Sequence, residues 1–280
     1  MTYLENRMKE IRRTGEGILS LSLAPSGVRD YSDLWYSTGY LKEAGMSQLL
    51  IISFVPDSMK LNGLALAEQR MVAEEMAKGS YRDMVFDSFA AVRGKFPDLP
   101  LIATPLLGDV LCYGMGRFIQ KAKAAGVNGF DVATYQTIED AAGYRARVEE
   151  AGLAFICALG ANGLELDNPL HRKTMEGVVR VTSGELFFVP GAPGNNRPLS
   201  GAAVKNLVDF IRELQDKYHN RCPIISIGGV TTPGDAYEMV RIAGTDGVHF
   251  SSAYMKRRFN GQSREEIQAW IREVKKAMQS

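Results

Sequence analysis

The chain has few cysteines, no long apolar run and no excess of charge of either sign, which excludes several classes of protein. Its 280 residues include three cysteines and no CxxC pair, so neither a disulfide framework nor a structural zinc site is expected. Lys and Arg number 33 against 32 Asp and Glu, which predicts no binding to nucleic acid or to a membrane surface. The apolar runs are too short to span a bilayer. We therefore expect a cytoplasmic protein.

Short apolar runs alternate with longer amphipathic segments along the whole sequence. Eight runs have the length and the β-branched or aromatic content of buried strands; they cover 18–23, 49–55, 101–104, 129–132, 153–158, 185–189, 223–227 and 247–250. Several helical patterns between them end at a glycine followed by a short turn, which is typical of β/α units. Eight such units favour a closed (β/α)8 TIM barrel. We predict a single α/β domain over residues 1–280, with the N-terminal helix capping the bottom of the barrel.

Glycine- or serine-rich turns follow the last three predicted strands, at 191–194, 228–230 and 251–253. Glycine lets the backbone approach an anion closely, and a helix N-terminus presents unpaired N–H groups. The loops after strands 7 and 8 of such barrels often hold a phosphate group. We predict that these turns bind the phosphate group of a metabolite and that Arg197 also contacts it.

Four short segments carry a resemblance to a known family. They are SLAPSG at 22–27, GAPG at 191–194, IGGV at 227–230 and SSA at 251–253. With the spacing of helices and strands, they make nearly the whole chain resemble the tryptophan synthase α subunit and its indole-glycerol-phosphate lyase relatives. That family is a (β/α)8 barrel that cleaves indole-3-glycerol phosphate by a retro-aldol reaction and holds the phosphate in these turns. The resemblance therefore implies a carbon–carbon lyase acting on a phosphorylated substrate. By motif matching, the phosphate would be held by Gly194, Gly229, Ser251 and Ser252.

The catalytic positions implied by the resemblance are not matched in this sequence. The family's glutamate falls on Ile51, or on Leu50 if the alignment shifts by one residue, and its aspartate falls on Asn62. None of these side chains can act as a general base, although Asn62 can form hydrogen bonds. Five apolar positions of the family's indole pocket are polar here: Ser20, Thr104, Asp131, Glu185 and His249. A polar substrate is therefore expected in place of indole.

Three of these polar residues, Asp131, Glu185 and His249, lie on predicted strands 4, 6 and 8. Alternate strands of a barrel contribute to common interior layers, so we expect the three side chains to share a layer with Ile51. Such a group suits acid–base catalysis in which His249 donates a proton. We predict a lyase that acts on a small polar phosphorylated compound and requires no cofactor. Its catalytic residues would be Asp131, Glu185, His249 and Asn62, with Ser20 and Thr104 binding the substrate.

The sequence leaves two alternatives to this lyase function open. The first is an isomerase or epimerase of a phosphorylated compound, in which the histidine and the carboxylates could hold a divalent metal ion. The second is a non-catalytic subunit, similar to tryptophan synthase α, that binds a phosphorylated ligand and regulates a partner. The chain could in either case form a homo-oligomer or bind a partner subunit.

Overall fold

A computed structural model describes residues 2–26, 30–53, 81–131, 143–160, 165–190 and 200–279. Parallel strands close into a barrel in which each strand pairs with the next and the last pairs with the first. The strands are β1 (Ile18–Leu23), β2 (Gln48–Ile52), β3 (Leu101–Thr104), β4 (Gly129–Asp131), β5 (Ala154–Gly160), β6 (Leu186–Val189), β7 (Ile224–Ile227) and β8 (Gly247–Phe250). The predicted (β/α)8 barrel is confirmed, with small differences at the strand ends.

Helices surround this barrel. Those described are α1 (Tyr3–Arg13), α2 (Ser32–Glu43), α3 (Tyr81–Lys95), α4 (Leu107–Tyr113), α5 (Met115–Ala124), α6 (Tyr144–Glu150), α7 (Pro169–Val181), α8 (Gly201–Lys217), α9 (Pro233–Tyr237), α10 (Ser252–Phe259) and α11 (Arg264–Gln279). A π-helical turn, Glu238–Ile242, continues α9. Gly45 and Gly126 follow α2 and α5 with φ values of 112° and 88°, the left-handed geometry that favours glycine after a helix. Among these helices, none combines the length and apolar character that a membrane span requires.

The N-terminal helix closes one end of the barrel, as predicted. It begins with a capping box, in which the backbone N–H of Glu5 donates to Thr2 Oγ1 at 3.2 Å and the Glu5 carboxylate accepts from the Thr2 N–H. Leu4 and Met8 are fully buried and belong to the same apolar cluster as interior strand residues such as Ile18. Helix α1 therefore seals the N-terminal end of the barrel, and the opposite end, where the strands finish, remains for a binding site.

Side chains along each strand alternate between the barrel interior and the surrounding helices. The interior cluster includes Leu50, Ile102 and Phe187, whereas Ile51 packs in the outer cluster with helix residues. The expectation that Ile51 faces the interior is therefore wrong, since Leu50 occupies that position on β2. Continued over the other strands, the same alternation places the partly exposed Thr104 on the inward face, together with six buried polar residues: Ser20, Ser22, Gln48, Asp131, Glu185 and His249.

Replacing Leu4 with alanine tests the sealing role of α1. The variant is expected to lose about 3 kcal/mol of unfolding free energy, because the truncated side chain leaves a cavity at the end of the interior cluster. Urea unfolding at neutral pH measures this loss. Lys9→Ala, at an exposed position of the same helix, should change the unfolding free energy by less than about 0.5 kcal/mol. Equal effects of the two substitutions would show that α1 does not seal the barrel.

Candidate active site

The strand register places Asp131 and His249 in one layer of the barrel interior. Such a layer takes one side chain from each even-numbered strand, and its other members are Leu50 and Phe187. The Phe187 and His249 rings lie 6.4 Å apart between centroids. The expected common layer is therefore present for Asp131 and His249, with an apolar aliphatic and an aromatic residue completing it.

Glu185 lies one layer deeper, toward the end that α1 seals. It precedes β6, and its Oε1 accepts a hydrogen bond of 3.1 Å from Nε2 of Gln48, the first residue of β2. Neither residue is exposed to solvent. The expectation that Glu185 shares a layer with Asp131 and His249 is wrong, because the strands are tilted and β6 presents Phe187 at that level.

Burial raises the pKa of Glu185 to about 8, and the charge of Asp131 adds to this effect, whereas the hydrogen bond from Gln48 opposes it. The group is therefore mainly protonated at neutral pH. Glu185 Oε2 and Gln48 Oε1 have no hydrogen-bond partner within the described part of the chain. A buried carboxylate oxygen without a partner costs more than the oxygen of an uncharged acid, so the protonated form fits these surroundings better than the carboxylate.

His249 is held between two serine hydroxyls of β1. Ser20 Oγ lies 2.8 Å from Nδ1, and Ser22 Oγ lies 2.9 Å from Nε2. The imidazole is only 3% exposed, and burial lowers its pKa to about 3. His249 is therefore uncharged at neutral pH. The expected role of a protonated histidine that gives up its proton does not fit this environment, since the charged form is strongly disfavoured.

Asp131 ends β4 at the level of His249, and it is 6% exposed. Burial raises the pKa of this carboxyl to about 7, which lies within the range where a group can both take up and release a proton. Its Oδ1 has no hydrogen-bond partner among the described residues. Tyr144 of α6 is close enough for the Asp131 charge, together with burial, to raise the tyrosine pKa. Asp131 thus combines suitable acidity with an acceptor atom left for a ligand.

The predicted phosphate turns follow neighbouring strands of the closed barrel. After β7, Gly228 and Gly229 adopt positive φ values of 85° and 78°. After β8, Ser251 is the residue before α10 and Ser252 is its first residue, both partly exposed. Both turns come from the carboxyl ends of the strands, as a phosphate site at that end of the barrel requires.

The remaining predicted site residues differ in how far the structure describes them. Thr104 ends β3 at the same end of the barrel and is partly exposed. Asn62, Gly194 and Arg197 lie outside the described residues. Within the described ranges, no group of three or more histidine, cysteine, aspartate or glutamate side chains is arranged to hold a metal ion.

Ser22 and Gln48 are site neighbours that sequence reasoning did not single out. Ser22 lies two residues after Ser20 on β1, so strand alternation alone would have placed both hydroxyls on one face. Gln48 begins β2 and its contact with Glu185 depends on strand register. No local sequence signal identifies that pair.

The chain is similar to known proteins both in sequence and in fold. No protein-family model matches the chain. The tryptophan synthase alpha chain of Methanosarcina mazei is 26% identical over 218 residues, which cover 77% of this chain and 72% of that one. Mycobacterium tuberculosis tryptophan synthase has a TM-score of 0.79 at 18% identity, covering 100% of this chain and 99% of that chain. Tryptophan synthase subunit alpha of Legionella pneumophila gives 0.77 at 18% identity, covering 99% and 98%. These likenesses confirm the barrel fold and the resemblance to tryptophan synthase alpha chains.

Glu185→Gln is expected to remove part of the pH dependence of stability. The pKa of Glu185 rises on folding from its ordinary 4.5 to about 8, so the folded state binds the proton more tightly. Its contribution to stability is complete below pH 4.5 and is lost as the pH rises through 8, at up to about 1.4 kcal/mol per pH unit. Urea unfolding of both proteins at several pH values between 5 and 9 measures this difference.

The comparison between variant and wild type isolates Glu185, because Asp131 and His249 titrate in both proteins. Glu150→Gln, at an exposed position at the end of α6, serves as the control and should leave the pH dependence unchanged. Parallel stability curves for wild type and Glu185→Gln would show that Glu185 is not protonated preferentially in the folded state.

Proposed function

We propose that this chain, which is similar to tryptophan synthase alpha chains, is an enzyme that breaks or forms a carbon–carbon bond in a small polar phosphorylated compound. The observation that carries the proposal is Asp131: a buried carboxyl inside the barrel, with a pKa of about 7 and an oxygen that has no partner in the described part of the chain. A buried acceptor without a partner is costly. A substrate donor, such as a hydroxyl group, removes that cost when it binds.

The phosphate group is assigned to the turns after β6, β7 and β8. Gly229, Ser251 and Ser252 present backbone N–H groups and hydroxyls, with α10 beginning at Ser252, and the partial positive charge of a helix N-terminus favours an anion there. Gly194 and Arg197 complete this proposed site. A phosphate held at the rim directs the rest of a short substrate into the barrel, toward Asp131 and His249.

Acid–base chemistry is assigned to Asp131. Aldol-type cleavage requires a base that removes a hydroxyl proton and an acid that returns a proton to carbon, and one carboxyl with a pKa near neutrality can do both in turn. His249 takes part in its uncharged form, as a hydrogen-bonding group. Thr104 and Asn62 are assigned to orient the substrate. Glu185 lies below this layer without solvent exposure, so we assign it no contact with the substrate.

An isomerase or epimerase is the second candidate, and Asp131 favours it too, since a single carboxyl can remove and return the same proton. The similar proteins are named as chains of tryptophan synthase, so we also propose that this chain binds a partner subunit or a second copy. Its three cysteines are unpaired, which supports the proposed cytoplasmic location.

Asp131→Asn tests the proposed chemistry. Purified protein is incubated with a panel of phosphorylated hydroxy-carbonyl compounds and, separately, with indole-3-glycerol phosphate, and the products are identified by mass spectrometry. Two smaller products indicate a lyase, and an unchanged mass with an altered retention time indicates an isomerase. The variant should lower kcat at least 100-fold, because an amide cannot transfer the proton. The kcat/KM of the wild type should titrate with a pKa of about 7.

Asp98→Asn, at an exposed position at the opposite end of the barrel, is the control and should keep full activity. Full activity of Asp131→Asn would contradict the proposal. If no member of the panel is converted while inorganic phosphate still binds, the non-catalytic interpretation is favoured.

Ser252→Asp tests the phosphate site. A carboxylate at the start of α10 should repel the anion and raise the apparent Kd for inorganic phosphate more than tenfold, as measured by calorimetry. Ser263 immediately precedes α11 and caps it, with its hydroxyl accepting from the Glu266 N–H at 3.2 Å. Ser263→Asp should leave phosphate binding unchanged. A similar loss in both variants would mean that phosphate binding does not depend on α10.

A further inference from the structure

The His249 side chain does not reach the barrel opening directly, because a serine covers each ring nitrogen. Ser20 pairs with His249 across β1 and β8, and Ser22 lies two residues further toward the carboxyl end of β1. Ser20 is completely buried, and Ser22 is 5% exposed. The three groups therefore form a line along the strand, with Ser22 at the end closer to the proposed phosphate turns.

The direction of the hydrogen bonds in this line follows from the burial of Ser20. A neutral imidazole has one N–H donor and one acceptor nitrogen. Within the described residues, the partner of Ser20 Oγ is Nδ1 of His249. If Nδ1 carried the proton, the Ser20 hydroxyl hydrogen would be buried without an acceptor, which is unfavourable. Ser20 therefore donates to Nδ1, and the proton of the ring lies on Nε2.

This tautomer determines what Ser22 can do. Nε2–H donates to Ser22 Oγ at 2.9 Å, so the hydroxyl hydrogen of Ser22 cannot point at the ring. Ser22 has no other hydrogen-bond partner among the described residues. Its hydrogen is free to point to a substrate oxygen, and each bond in such a chain strengthens the next.

We propose that Ser22 is a catalytic residue that donates a hydrogen bond to the oxygen on which negative charge develops, and that His249 and Ser20 are positioning residues behind it. The inference rests on the proposed function and deepens it, since it specifies a substrate with a carbonyl or hydroxyl oxygen at the reacting carbon. Ser20, Ser22 and His249 are all uncharged. They can therefore remain buried without the cost of burying a charge, and they can stabilise an oxyanion in a site that excludes water.

The first test is kinetic and uses the compound that the wild type converts. Ser22→Ala should lower kcat about 100-fold with a change in KM below about threefold, as expected when one donor to a developing oxyanion is removed. Ser22→Thr, which keeps the hydroxyl, should restore kcat to within about tenfold of the wild type. Ser226→Ala removes another fully buried serine hydroxyl, on β7, and should leave kcat unchanged. Equal kcat in Ser22→Ala and wild type would overturn the proposal.

The second test needs no substrate and distinguishes failure of this inference from failure of the proposed function. Nitrogen-15 NMR of the labelled imidazole rings, with the His249 signals assigned by their loss in His249→Asn, reports the tautomer. The wild type should show an unprotonated Nδ1 and a protonated Nε2 at pH 7, and Ser20→Ala should shift the ring toward the other tautomer. A protonated Nδ1 in the wild type would overturn the assignment even if the enzyme is active, whereas the expected tautomer without any turnover would contradict only the proposed function.

Discussion

Exclusion of water from the closed barrel is the constraint on which the properties of the site depend. Strand alternation sends two carboxyl groups and an imidazole into this interior, where the charged form of each group is disfavoured. Burial raises the pKa of Glu185 to about 8 and that of Asp131 to about 7, and it lowers that of His249 to about 3. Glu185 and His249 are thereby held mainly uncharged at neutral pH, and Asp131 is near its point of half-protonation.

Depth in the barrel separates the Glu185–Gln48 pair from the residues to which we assign chemistry. Glu185 and Gln48 form a closed pair near the end that α1 seals, and no solvent reaches either of them. Asp131 and His249 lie one layer higher, and Ser22 and Thr104 lie toward the carboxyl ends of β1 and β3. Barrels of this kind carry stabilising residues at the N-terminal end of the strands and active sites at the opposite end, and the roles that we propose follow this order.

Much of the fold could be predicted from the sequence, because buried strands and helix-ending glycines have local signals. The site could be predicted only in part. Alternation within one strand identifies an inward face, so Asp131 and His249 were expected inside the barrel and lie there. The levels of Glu185 and Ile51 depend on tilt and on register between strands, which no local pattern encodes. On β2 the expected inward residue, Ile51, is one residue away from the observed one, Leu50. Because neighbouring residues of a strand face opposite sides of the sheet, this shift of one residue placed the wrong side chain inside the barrel.

The corrected position of β2 also clarifies how this site relates to the family that it resembles. The family's strand 2 glutamate must face the barrel interior to act on a substrate, and at the level of Asp131 and His249 the interior residue of β2 is Leu50. Asp131, on the next even-numbered strand, belongs to the same layer. The layer therefore retains one carboxyl group but receives it from β4, while Leu50 and Phe187 provide the apolar wall. An indole ring has a single N–H and could satisfy at most one of the polar groups in this space, whereas a hydroxylated chain can bond to Asp131 as well as to its neighbours and still contact the apolar wall.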